Sequence, residues 1–160
     1  MKQSYMSGIA FGITSGVITT LGLIMGLKET TGSAVVVIGG ILIIAVSDAL
    51  SDAMGMHLTQ ESDPSRSQHM VWEATLSTFL AKLLVAMSFA LPFLVLDIEK
   101  AIIINIFWGF ILISILSKYI ADVQKENALY VLTEHVLIAM FVIFAAHFIG
   151  TFAKDALPLK

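Results

Sequence analysis

The sequence predicts an all-α integral membrane protein: residues 1–160 as one domain of five transmembrane helices packed in one bundle. Three observations carry that prediction. Hydrophobic residues make up 58% of the chain and charged residues 13%, with a mean hydropathy of +0.92, whereas soluble domains carry about a quarter charged residues. Apolar segments long enough to cross a hydrocarbon core of ~30 Å, which takes about 20 helical residues, recur along the whole chain. The connections between them are short and rich in turn residues and charges: KETTGS at 28–33, ESDPSRSQH at 61–69, DIEK at 97–100 and DVQKEN at 122–127.

The first helix covers about residues 7–27. Its apolar run is too long for a signal peptide, shows no clear small-residue cleavage site and is followed by further spans, so it belongs to the structure. Gly8, Gly12 and Gly16 recur every fourth residue, and Gly22 and Gly26 repeat that spacing. Such a strip lets another helix backbone approach closely, either inside one bundle or between the two copies of a homodimer. The second helix, about 34–58, opens with an uncharged run from Ala34 to Val46 and then carries Asp48 and Asp52 one turn apart. The third, about 71–96, carries Lys82 in its middle. The fourth covers about 101–120, and the fifth, about 128–152, begins with Glu134 and His135 near one end.

Composition also excludes several classes of function. The chain has no cysteine, which removes disulfides, thiolate metal sites and thiol redox chemistry. A formal charge of −3 without any basic run does not suit nucleic acid. No Ser or other nucleophile is set in a recognisable motif with a base and an oxyanion site, so an enzyme is not expected. Five spans place the termini on opposite sides of the bilayer. Lys2, Arg66, Lys118 and Lys125 then share one side, and Lys28, Lys100, Lys154 and Lys160 the other, so basic residues give no orientation.

Charges at depth are the informative feature. A rise of ~1.5 Å per residue converts sequence distance into depth. Counted from the second loop, Asp48 and Lys82 both lie ~15 Å into the membrane on consecutive antiparallel helices. Asp52 falls one turn nearer that loop, at a depth similar to Glu134, and Ser15 falls between the two levels. A charged side chain at the bilayer centre costs at least ~2.5–3.5 kcal/mol, so these groups must face the interior and pair, hold a proton or hold an ion. One outcome is a structural Lys82–Asp48 pair; the other is a cation pathway lined by Asp48, Asp52 and Glu134. Met54, Met56, His57 and His135 surround the same levels. Carboxylate, imidazole and thioether together suit a first-row divalent ion better than Mg²⁺ or Ca²⁺. Asp48, Asp52 and Met56 follow at four-residue steps on one helical face, with His57 turned about 100° from Met56. Glu73 and His69, at the membrane edge, are placed to collect an ion before entry, and His147 lies outside this set.

Four segments resemble the vacuolar iron transporter family, five-helix proteins that export Fe²⁺ or Mn²⁺ from the cytoplasm in exchange for protons. SGVITTLGLIMGL, Ser15 to Leu27, is similar to the family's DG(I/V)VTTF and the glycine-containing run after it. VSDALSDAMGMHLTQESD, Val46 to Asp63, aligns without a gap to a pattern like LADGFSMGLGEYLSSKSE. TFLAKLLVAMSFALP, Thr78 to Pro92, resembles the third helix with its SFL and later proline, and HFIG, His147 to Gly150, the closing YxIG. The match touches four of five helices in order. At the functional positions Ser15 replaces the family's acid in the first helix, Asp52 its second-helix methionine and Met56 its second-helix glutamate, while Asp48 is retained. Lys82, Glu134 and His135 have no counterpart in the pattern, and the glutamate-rich segment that many members insert between helices two and three is absent.

The resemblance implies a homodimer with the first helix at its interface and Gly8, Gly12 and Gly16 as packing residues, a cytoplasmic N-terminus, and the cell membrane of a prokaryote as location. It further implies a transporter with no permanently bound cofactor, Fe²⁺ or Mn²⁺ as substrate and protons as the coupled ion, in a lipid bilayer. The expected metal site is Asp48, Asp52, Met56 and Glu134 with Ser15 as an oxygen ligand, and His57, His135 and Glu73 as outer candidates. Lys82 is the expected charge partner, neutralising Asp48 when metal is away. The alternative is a transport-inactive relative whose Lys–Asp network serves folding or partner binding.

Overall fold

The computed structural model describes residues 2–157, with side chains from Ser4 onward; the Lys2 side chain and Lys160, both part of the charge comparison, fall outside it. The described residues form six helices: α1 (Lys2–Thr31), α2 (Ala34–Glu61), α3 (Gln68–Ser88), α4 (Leu91–Val95), α5 (Ile98–Gln124) and α6 (Ala128–Ala156). Taken together, α3 and α4 form one span, Gln68–Val95, and with α1, α2, α5 and α6 they give five segments long and apolar enough to cross a membrane. The chain is a multi-pass membrane bundle, as its composition requires.

Each helix runs beyond its apolar segment because capping chemistry, and not polarity, decides where it stops. Past Leu27, α1 continues through Lys28 to Thr31 and ends at Gly32, whose φ of +63° is the left-handed closure that glycine accepts without strain. Ser33 then accepts a hydrogen bond from the backbone N–H of Val36 and starts α2. Ser67, Asp97 and Asn127 act in the same way for α3, α5 and α6, through the N–H groups of Met70, Lys100 and Leu129.

The third span is not the unbroken helix over 71–96 that its apolar pattern predicts. Pro92 has no N–H and its ring collides with the carbonyl four residues earlier, that of Ser88, where α3 ends. Through the break the N–H groups of Phe89, Ala90 and Phe93 bond three residues back instead of four. The Phe89 carbonyl released by this shift accepts from the buried Asn105 side chain of α5 at 3.0 Å. A lipid core offers no water for such a group, so a neighbouring helix must supply the donor.

At the centre of the bundle, α1 packs against α2, α3, α5 and α6. Val17, Leu21 and Ile24 of α1 meet Val37 and Ile41 of α2, Phe89 and Phe93 around the break, Ile102 and Ile113 of α5, and Ala139 of α6. The glycine strip is used inside the chain. A Cβ at Gly8 would lie 2.4 Å from the Ala74 carbonyl oxygen, and one at Gly12 would lie 2.7 Å from that of Thr78. Gly8, Gly12 and Gly16 therefore face α3 of the same chain. Of the two packings open to such a strip, the one inside the bundle is occupied, with α3 filling the space that they clear. Gly22 and Gly26 turn instead toward α6, where Gly150 sits against the Gly26 carbonyl.

Two predictions follow from this packing. Gly12→Leu should lower the unfolding free energy in an SDS titration by about 1–3 kcal/mol or more, because overpacking here meets backbone. Gly39→Ala, with open space around it, should raise it by up to ~1 kcal/mol; similar effects of the two changes would contradict the tight α1–α3 contact. The loops predict the acid limb of stability. The Lys100 side chain and backbone N–H hold the Asp97 carboxyl below the ordinary carboxylate range, and the Ser65 hydroxyl and N–H with Arg66 do so for Asp63. Their stabilisation is complete above that range and lost as pH falls through the lowered values. The Tm should accordingly begin to drop as pH falls through the ordinary carboxylate range and go on dropping to the lowered values, and Asp63→Ala with Asp97→Ala should flatten that drop.

Candidate functional site: one ammonium between two carboxylates

Small residues set the site. The Gly12 and Gly16 positions let the α1 backbone lie against Lys82, whose N and Cα are 3.1 and 3.5 Å from where their Cβ atoms would stand. On α2, the buried stripe Ala45, Ala49 and Ala53 gives that helix an equally small face toward its neighbours α1 and α3. Lys82, Asp48 and Ser15 thus meet at mid-depth of three adjacent spans of 28 residues each.

The Lys82 side chain is 1% exposed, and its ammonium meets three partners. Nζ lies 2.6 Å from Asp48 Oδ2, 2.5 Å from Asp52 Oδ2 and 2.9 Å from Ser15 Oγ. The Ser15 hydroxyl in turn donates a hydrogen bond to Asp52 Oδ2 at 2.5 Å. The ammonium donates to Asp52 and Ser15 and forms an ion pair with Asp48. The carboxylates are less enclosed: the Asp48 side chain is 32% exposed and that of Asp52 21%. With all three groups ionised the cluster carries one uncompensated negative charge. In a low-dielectric interior that charge attracts a proton or a cation strongly.

Depth reasoning had paired Lys82 with Asp48; the structure adds Asp52, because a four-carbon stem reaches across one helical turn. It does not bring in Glu134. That residue is exposed on α6, which packs on α1 and α5, whereas α2 packs on α1 and α3, so α1 stands between them. Equal depth did not mean equal direction around the bundle. Met56 is half-buried on α2, one turn beyond Asp52. Among the described residues no three carboxylate or imidazole groups converge.

The outer candidates have partners of their own. Thr75 Oγ1 donates to the Val71 carbonyl at 2.8 Å, so it accepts from His57 Nδ1 at 3.0 Å. This leaves His57 Nε2 toward Glu61, 3.8 Å away, with the ring edge-on to Trp72. His135 Nδ1 is 2.9 Å from Ser117 Oγ on α5. Glu73 lines a groove between α1 and α3, with His69 3.5 Å from its Oε1.

Sequence reasoning passed over two polar groupings. At the opposite end of α1 from the N-terminus, Glu29 is 2.9 Å from Lys28 and 3.1 Å from His147, tying α1 to α6 beside the Gly26–Gly150 approach. Asn105 is the other; an amide in the run from Ala101 to Gly109 was its visible signal.

Comparison with known proteins returns no matching family model, no matching curated protein and no matching solved structure.

Removing one charge from this cluster should depend on its sign. Lys82→Met strands two carboxylates and should cost about 3–5 kcal/mol in SDS unfolding, as when one partner of a buried pair is deleted. Asp48→Asn leaves a neutral Lys82–Asp52 pair and should cost far less or stabilise. A larger loss for Asp48→Asn than for Lys82→Met would contradict the charge assignment.

Proposed function

We propose that the protein is a proton-coupled exporter of a divalent transition metal, Fe²⁺ or Mn²⁺, whose cargo passes Asp48 and Asp52. The observation that carries this reading is the sharing of one ammonium by two carboxylates at mid-membrane. A structural pair needs a single carboxylate; the second leaves a charge that a proton or passing cation neutralises. The similarity of Val46–Asp63 to the second helix of vacuolar iron transporters supports the choice of cargo and the direction of transport.

In this reading Lys82 is a tethered cation that occupies the carboxylates while the path is empty. An arriving divalent ion competes with the ammonium and with bound protons for the same oxygens, so loading metal releases a proton or moves the lysine. The Ser15 hydroxyl keeps contact with both Lys82 and Asp52 during that exchange and offers an oxygen to the ion. Met56 lies one turn further along the same face of α2 and extends the path toward the 61–69 loop. A homodimer belongs to the same reading by resemblance, with a contact that leaves Gly8, Gly12 and Gly16 aside.

A second reading has its own support. An almost wholly buried lysine meets two carboxylates and a hydroxyl within the chain, which suits a permanent network in a transport-inactive relative, serving folding or partner binding. Proteoliposomes separate the two. Purified protein should take up Fe²⁺ or Mn²⁺ in response to a pH gradient, and Asp48→Asn with Asp52→Asn should abolish that uptake while the protein stays folded. No gradient-driven uptake by folded wild-type protein, or uptake undiminished in the double variant, would favour the permanent network.

A further inference from the structure

We draw no further inference here: the strongest candidate, the outer face of α2 where Ser47, Ser51 and Gly55 border the partly exposed Asp48 and Asp52, belongs to the site already described, and nothing in the structure shows what covers it.

Discussion

The buried ammonium of Lys82 is the constraint to which the rest of the bundle conforms. In water its three N–H groups would find partners anywhere; halfway through a membrane they must be met by groups fixed in advance. Ser15 on α1 and Asp48 and Asp52 on α2 surround the ammonium, so three helices are held in register by one side chain. That register requires short distances between backbones. Glycine on α1 and alanine on α2 provide them, and the pattern of small residues is accordingly part of the site and not only of the packing.

Polar satisfaction at the two ends of the bundle follows the same logic with different partners. Near one surface Arg66 reaches Ser4 at 2.9 Å and closes the 62–67 loop onto α1. Near the other, Glu29 joins Lys28 to His147 and fixes α6 where Gly26 and Gly150 touch. The break before Pro92 is handled by Asn105. Both ends of α1 are thus tied by matched groups, while its middle borders a cluster with one unmatched negative charge. A rigid frame around a site of unbalanced charge suits the cation exchange proposed for it.

Much of this was legible in the residues themselves, and the misses share a cause. Helical rise converts sequence into depth, which is why Asp48 and Lys82 can be matched from the sequence. Rise says nothing about direction around the bundle, and for that reason Glu134 was grouped with Asp52 although α1 separates their helices. The glycine strip announced a close approach but not its partner, which proved to be α3. The expected helices are too short because charged residues mark the edge of the bilayer, whereas Gly32 marks the end of α1 and the capping Ser67 and Asp97 mark the starts of α3 and α5. Pro92 lies within an apparently continuous apolar run, and its missing N–H is the available signal for the break.

The most direct test of the central claim is the unfolding free energy of the triple variant Lys82→Met, Asp48→Asn, Asp52→Asn, compared in SDS titration with Lys82→Met alone. If Lys82 matters because it compensates two carboxylates at mid-membrane, neutralising both should recover most of the stability that the single change loses. A triple variant no more stable than Lys82→Met would mean that the lysine acts through its packing, and that the charge cluster does not organise the fold.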